Sequence, residues 1–307
     1  MVQIPLALGL GLLLGRKRSG IVGFDKLVRA GSQAGLFVLL LCVGVQLGQP
    51  RIVVELGLIG VRALATCLGA CGLSLASVGV LESWMVRRGI WPARGMSLVQ
   101  EGRDYTPLVV WSAFLIGIEF SGVARDVYAK GYITEATTWT LCWLVFLAGM
   151  DIARSGAWST VREMGLAVLF VPGAIGAASI IGAMVGGIIT GMDPGEAMAV
   201  GAGFGWYSFS GVLLTNARGV ELGAVAFSAN LLRELITFTV AGSVRRKRIR
   251  LASVALGGAT AMDSTLPMIV RCDGPEVAVI GFISGVSLTL LAPLVIPAIL
   301  KMFLPQH

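Results

Sequence analysis

An acidic residue stands inside a weakly polar part of the chain. Asp263 lies in the stretch Gly-Gly-Ala-Thr-Ala-Met-Asp-Ser-Thr-Leu-Pro, where its hydroxyl-bearing neighbours are Thr260, Ser264 and Thr265. A carboxylate surrounded by hydroxyl groups can bind a cation or an ammonium group, or take up a proton. The same carboxylate could instead cap the half-helix that follows it. The residue types indicate one of these two roles.

A second polar stretch has an aromatic pair at its centre. Gly-Phe-Gly-Trp-Tyr-Ser-Phe-Ser-Gly brings Trp206 and Tyr207 together with Ser208 and Ser210. Hydroxyls and freed backbone carbonyls can coordinate cations, and an aromatic face attracts ammonium groups. We expect these residues to bind substrate or ion, with Na⁺ near Ser210 and Asp263 as one form of the site. The alternative is that Trp and Tyr are membrane-interface anchors.

Three polar side chains share an otherwise apolar helical segment. Asn230 lies three residues before Arg233 and four before Glu234, so it is close to both on a helix surface. Arg233 and Glu234 are adjacent and diverge by about 100°. One interpretation is a polar stripe facing the two broken stretches. The other is a buried ion pair that fixes helix packing.

Asp151 is the last candidate for the site, at the end of an apolar run beside Arg154, where an interfacial salt bridge is the alternative. The chain has a single histidine, His307, so a proton carrier inside the protein has to be a carboxylate. Its five cysteines form no CxxC motif and predict neither a disulfide framework nor a metal cluster. We expect no cofactor besides a coupling ion, H⁺ or Na⁺.

These candidates belong to a chain with the composition of a bilayer protein. Of its 307 residues, 56% are hydrophobic and 13% are charged, and the mean hydropathy is +0.85. Soluble domains carry about 25% charged residues. The composition therefore excludes a soluble enzyme and predicts an all-α integral membrane protein. The net charge of +7 is concentrated in clusters beside apolar runs, which argues against a nucleic-acid partner.

The apolar runs are long enough to cross a bilayer at several places. They lie at 31–49, 52–81, 106–123, 137–153, 164–190, 220–243 and 277–303, with a shorter first run at 2–15. Two further runs, 195–216 and 251–272, contain clusters of helix-breaking residues.

The distribution of Lys and Arg favours one way of threading these runs. Basic clusters at 16–29, 87–103 and 245–250 share one side if both broken runs are re-entrant hairpins. Because basic residues favour the cytoplasmic side, we predict eight crossings, two oppositely oriented hairpins and both termini outside. The alternative is ten spans with crossed helices.

This threading predicts inverted repeats. Two groups of three spans, of opposite orientation, make up region 1–190, which we expect to be mostly scaffold. Two hairpin-plus-helix units make up region 191–307, which we expect to be the transport region. Inverted repeats with broken helices are typical of secondary transporters.

Four segments carry a resemblance to a known family. In order and spacing, 203–215, 231–236, 245–248 and 257–267 resemble the LysO family of lysine exporters. The resemblance implies export of L-lysine, and of its toxic analogue thialysine, across the cytoplasmic membrane. It also implies that Asp263 is needed for transport. The order of spans and hairpins resembles the glutamate-transporter architecture turned over in the membrane, which implies an elevator-like movement.

Two other functions stay open at this point. The first is a sodium- or proton-coupled transporter of another organic ion with the ten-span fold. The second is an intramembrane aspartyl protease using Asp151 and Asp263, although the sequence contexts typical of such proteases are missing. Expected partners are L-lysine or a related basic amino acid and the lipid bilayer, with a homodimer left open.

Overall fold

The computed structural model describes most of the chain, and all regular secondary structure in the described part is helical. The described residues are 3–17, 24–47, 57–90, 106–124, 131–155, 162–245 and 249–303. They form twelve α-helices: α1 (Gln3–Lys17), α2 (Phe24–Leu47), α3 (Leu58–Arg87), α4 (Thr106–Phe120), α5 (Tyr132–Ser155), α6 (Phe170–Ile189), α7 (Pro194–Gly201), α8 (Tyr207–Arg218), α9 (Val220–Arg245), α10 (Ala252–Gly257), α11 (Leu266–Asp273) and α12 (Pro275–Phe303). Short 3₁₀ helices cover Gly165–Leu169 and Gly258–Met262.

Three of the described helices have the length and apolar character that a bilayer span requires. They are Leu58–Arg87, Arg162–Ile189 and Pro275–Phe303, of 30, 28 and 29 residues. A span needs about 20 apolar residues. The predicted all-α membrane class is therefore confirmed. Of the predicted basic clusters, 245–250 and 87–103 lie largely outside the described residues.

Helices α3 and α6 pack together in an antiparallel pair through small residues. A Cβ atom added to Gly69 would overlap the carbonyl oxygen of Gly182, and one added to Gly186 would overlap that of Ala65. Only glycine permits such close backbone contact. The Ser77 hydroxyl also donates to the Ala174 carbonyl across the pair at 3.3 Å. Helices α3 and α6 therefore form one tightly packed unit.

The remaining early helices pair among themselves in the same way. Gly11 of α1 lies against the carbonyl of Phe146 in α5, and Gly44 of α2 lies against that of Phe114 in α4. Helix α9 contacts α2 and α4 through an apolar cluster that includes Leu40, Phe114, Leu231, Leu235 and Phe238. Helices α3 and α6 share the main apolar core with the C-terminal helices, and one side of α5 packs into the same core.

Each of the two polar stretches lies between two short helices. Between α7 and α8, Phe204 has a φ of 54° and Gly205 a φ of 106°. Between α10 and α11, Gly258 has a φ of 61° and begins a 3₁₀ turn. Left-handed backbone cannot continue an α-helix. We call residues 202–206 the first tip and residues 258–265 the second tip.

The two arms that flank each tip return to the same end of the protein. Glu196 at the start of α7 interacts electrostatically with Arg218 at the end of α8. In the other pair, the hydroxyl of Ser253 at the start of α10 donates a hydrogen bond to Asp273 at the end of α11. Each polar stretch is thus the turn of a V-shaped pair of short helices.

Helix α3 shows that the two V-shaped pairs open toward opposite ends. Its residue Arg62 forms an ion pair with Glu221 at 2.5 Å, beside the first pair. Its residue Glu82 accepts hydrogen bonds from the backbone N–H groups of Arg250 (2.9 Å) and Leu251 (3.3 Å), at the start of the second pair. Because these two α3 residues are separated by about 30 Å along the helix, the tips meet in between.

Candidate functional site

The two tips are joined by the backbone. The N–H of Ala259 donates to the carbonyl of Phe204 at 2.8 Å. A Cβ atom on Gly258 would overlap that same carbonyl oxygen, and one on Gly205 would lie 3.1 Å from the carbonyl oxygen of Gly257. The glycines that break the helices therefore also permit the tips to touch.

Asn230 of α9 holds the first tip. It is 4% exposed, and its side-chain oxygen accepts from the N–H of Gly205 at 2.7 Å. Its amide nitrogen lies within donating distance of the Val200 carbonyl (3.2 Å), the Ala226 carbonyl (2.9 Å) and the Ser210 hydroxyl (3.1 Å). The side chain thus satisfies backbone groups where α7 ends, and its hydrogen-bonding capacity is used inside the protein.

Arg233 holds the end of α10. The side chain is 2% exposed, and its Nε donates to the Leu256 carbonyl at 2.7 Å while one Nη donates to the Ala255 carbonyl at 2.8 Å. The other Nη donates to the Ser179 hydroxyl at 2.6 Å, and that hydroxyl donates to the Gly201 carbonyl at 3.0 Å. Arg233 and Ser179 together link the C-terminal ends of α7 and α10.

The acidic side chains Glu234 and Asp263 come together on a different side of α9 from Arg233. They interact electrostatically, the Ser264 hydroxyl lies between them, and the Tyr207 side chain is close enough to interact with both. Glu234 is 5% exposed. Within the described residues, neither carboxylate forms an ion pair. A buried and a partly buried carboxylate without a cation are costly in a membrane protein, so this pair is suited to bind a cation, an ammonium group or a proton.

Most of the other predicted site residues form hydrogen bonds at or next to the tips, and one is exposed on the surface. The Thr260 hydroxyl donates to the Gly257 carbonyl at 2.9 Å and lies 3.3 Å from that of Thr265, so both hydroxyls stabilise the second tip. Ser210 is fully buried and donates to the Trp206 carbonyl at 2.9 Å. Ser208 is exposed.

Aromatic contacts give the first tip an apolar wall. The ring of Trp206 stacks on Phe209 with centroids 4.5 Å apart, and Tyr207 meets Phe227 edge-on at 5.3 Å. Tyr207 thereby lies between the apolar cluster and the acidic pair. The side chain of Asp151, the remaining candidate, lies outside the described residues.

Two residues that the sequence analysis did not single out take part in this arrangement. Ser179 is a hydroxyl inside an apolar run, which is the only signal that could have drawn attention to it. Glu82 is an acidic residue late in α3 that is 6% exposed. Its buried position at the start of the second V-shaped pair depends on a contact with residues far along the chain.

The helices and the buried polar site define the chain as a multi-pass α-helical membrane protein. A sequence model of the family described as "Lysine exporter LysO" matches residues 111–300, which is more than half of the chain. The chain therefore belongs to the LysO family of lysine exporters, a family of transporters and not of enzymes. The family resemblance expected from the sequence is confirmed.

Two relatives give the extent of this similarity. The chain is 37% identical to the lysine exporter LysO of Escherichia coli strain K12 over 191 residues, which are 61% of this chain and 60% of that protein. It is 30% identical over 185 residues to a provisionally described lysine exporter of Haemophilus influenzae Rd, covering 60% of this chain and 93% of that protein. The match thus spans less than two thirds of the E. coli relative. No solved structure matches the chain.

Proposed function

We propose that this protein is a secondary active exporter of L-lysine and thialysine across the cytoplasmic membrane, driven by H⁺ or Na⁺ antiport. The observation that carries the proposal is the pair of carboxylates, Glu234 and Asp263, that interact electrostatically beside the two tips. Membership of the LysO family agrees with it. A carboxylate that alternately holds the substrate ammonium group and a coupling ion produces antiport, because the two cannot be bound there together.

The α-carboxylate of the substrate requires a site that attracts anions. Helices α8 and α11 begin at the tips, and neither Trp206 nor Thr265 caps its helix with a side chain. The first-turn N–H groups and the positive end of the helix dipole attract anions. We propose that the α8 N-terminus, next to Tyr207, receives the α-carboxylate while an ammonium group contacts the acidic pair.

We also propose that the two V-shaped pairs are re-entrant hairpins that enter the membrane from opposite faces. The contacts of Glu196 with Arg218 and of Ser253 with Asp273 support this threading, because each pair of arms starts and ends together. Threaded in this way, eight helices cross the bilayer and both termini lie outside. The Glu82 end of α3 then faces the cytoplasm.

The packing of the helices supports an elevator-like movement in which the moving part is larger than region 191–307. Region 191–307 contains both hairpins, and α3 and α6 share its apolar core. Helices α1, α2, α4 and α5 pair among themselves, and α2 and α4 meet α9 across an apolar surface around Leu235 and Phe114. We propose that α3 and α6 move with region 191–307, and that the other four helices form the frame.

The experiment that tests the function is counterflow in proteoliposomes. Purified protein is reconstituted into vesicles loaded with unlabelled lysine, and the entry of labelled lysine is followed with no ion gradient. We expect entry that depends on internal lysine and is inhibited by thialysine. The matched controls are empty vesicles and vesicles loaded with leucine or glutamate. Exchange of glutamate or leucine in place of lysine would reject lysine as the substrate.

A further inference from the structure

We propose that the Arg233 guanidinium permanently occupies the position between the two hairpin tips where a coupling Na⁺ would otherwise bind, so that transport by this protein is independent of Na⁺. This inference rests on the proposed export function and limits the choice of coupling ion, H⁺ or Na⁺, to H⁺. It starts from the ends of the two short helices α7 and α10, which meet inside the protein.

The ends of α7 and α10 are cation-attracting positions. The last carbonyl groups of a helix have no partner within it and carry the negative end of the helix dipole. In secondary transporters with broken helices, such ends and the unwound carbonyls beside them coordinate Na⁺. Here the corresponding carbonyls are those of Val200, Gly201, Ala255 and Leu256.

All four carbonyls already accept hydrogen bonds from side chains. Arg233 donates to two of them, those of Leu256 at 2.7 Å and Ala255 at 2.8 Å. Asn230 donates to the Val200 carbonyl at 3.2 Å, and Ser179 donates to the Gly201 carbonyl at 3.0 Å. The oxygen ligands that would surround Na⁺ are thus engaged by protein donors.

Three carbonyls in or next to the tips are engaged as well. The Phe204 carbonyl accepts from the Ala259 N–H, the Trp206 carbonyl from the Ser210 hydroxyl, and the Gly257 carbonyl from the Thr260 hydroxyl. Ser210 also receives the Asn230 amide at 3.1 Å. Na⁺ at this place would have to displace several of these bonds at once.

The charge of Arg233 makes the occupation permanent. A guanidinium stays protonated in proteins, whereas a buried lysine can lose its proton. With Arg233 2% exposed, its charge acts in a region that water screens poorly. A second cation between the tips would be repelled by it.

The remaining place for a coupling ion is the acidic pair. Asp263 and Glu234 interact electrostatically there, with the Tyr207 side chain as the other ionisable group that interacts with both. With Na⁺ excluded from the helix ends, the driving proton is assigned to this pair, where a single carboxylate oxygen is enough to hold it.

The first test measures Na⁺ binding without transport. Purified full-length protein is melted in NaCl and in choline chloride of equal ionic strength. We expect the same Tm for wild type in both salts. For Arg233→Ala, which vacates the position, we expect a Na⁺-dependent rise in Tm of about 3 °C or more. Arg233→Lys, which retains the charge, should resemble wild type. Arg62→Ala, which removes an arginine of α3 away from the tips, is the control and should also show the same Tm in both salts.

The second test uses transport. In vesicles active in lysine counterflow, a Na⁺ gradient at fixed pH should change the initial rate of lysine movement by less than about twofold, whereas a pH gradient without Na⁺ should drive accumulation. A failure of counterflow itself would reject the proposed function, and the melting experiment would still decide about Na⁺.

Either of two results would overturn the inference. One is a wild-type protein that Na⁺ stabilises or that a Na⁺ gradient drives. The other is a folded Arg233→Ala protein that remains as insensitive to Na⁺ as wild type. If Arg233→Ala does not fold, Arg233→Met, which retains most of the side-chain volume, replaces it, and the wild-type measurements decide alone if neither variant folds.

Discussion

Asn230 and Gly205 are joined by a hydrogen bond of 2.7 Å from the Gly205 N–H to the Asn230 side-chain oxygen. The bond connects the middle of α9 to the backbone that turns the first tip. Because Asn230 is 4% exposed and its amide group bonds to residues around the first tip, we expect it to have a positioning role.

The first prediction concerns that bond. Asn230→Asp keeps the acceptor for Gly205 but replaces the donor to the Val200 and Ala226 carbonyls with an oxygen. We expect a loss of about 1–3 kcal/mol in stability, because buried acceptors then face one another. The measurement is the Tm of the purified protein. Asn216→Asp, at an exposed position of α8, is the matched control and should leave the Tm unchanged. Unchanged stability together with tighter lysine binding would place Asn230 against the substrate.

The second prediction concerns the acidic pair. Asp263→Asn preserves the size and most hydrogen bonds of the side chain but removes its charge. We expect lysine counterflow to fall at least about tenfold, since one of two groups that hold the ammonium is neutralised. Glu234→Gln should have the same effect.

The control for this prediction is Glu119→Gln, which neutralises an exposed carboxylate on α4. It should transport as wild type does. Asparagine can also accept the hydrogen bond that the Ser264 N–H donates to the Asp263 side chain at 2.6 Å. Full activity of a well-expressed Asp263→Asn protein would therefore mean that the Asp263 side chain is needed only for that bond and not for its charge.

The third prediction tests the contact between the tips. Gly258 combines a φ of 61° with a position against the Phe204 carbonyl, so Gly258→Ala is both strained and sterically blocked. We expect a loss of about 1–3 kcal/mol in stability. Gly72→Ala, on an open face of α3, should stay within about 1 kcal/mol of wild type. Equal Tm values for the two variants would contradict the tip geometry.

The fourth prediction concerns threading. In a cysteine-free background, Arg218→Cys, which the proposed threading places outside the cell, should react with an impermeant thiol reagent in intact cells. Arg248→Cys, outside the described residues, should react only after the membrane is permeabilised. The reverse labelling would reject opposed hairpins and favour ten crossed spans.

The fifth prediction concerns the moving unit. Linking Leu235→Cys to Phe114→Cys across the apolar surface between α9 and α4 should abolish counterflow, and reduction should restore it. Linking Ser77→Cys to Ala174→Cys, inside the α3–α6 pair, should leave counterflow intact because those helices move together. Full activity of the first linked pair would exclude sliding along this surface.

The sequence by itself determined the membrane class and the places where helices break. Hydropathy is summed along the chain, so the apolar composition needs no partner to be recognised. The breaks at 202–206 and 258–265 also fall inside the predicted stretches, because the left-handed backbone at Gly205 and Gly258 is a local property of glycine. The expectation that Asp263 is needed for transport also came from the sequence, since a carboxylate in an apolar run is costly, and it stays a prediction.

Only the tertiary structure decided what the polar side chains contact. Helical spacing placed Asn230 near Arg233 on the α9 surface, but it could not reveal that one holds the first tip and the other holds the end of α10. Arg233 and Ser179 are 54 positions apart in the chain, and their bond depends on how α6 packs beside α9. Periodicity defines a face and leaves its partner open, because the partner is chosen by long-range packing.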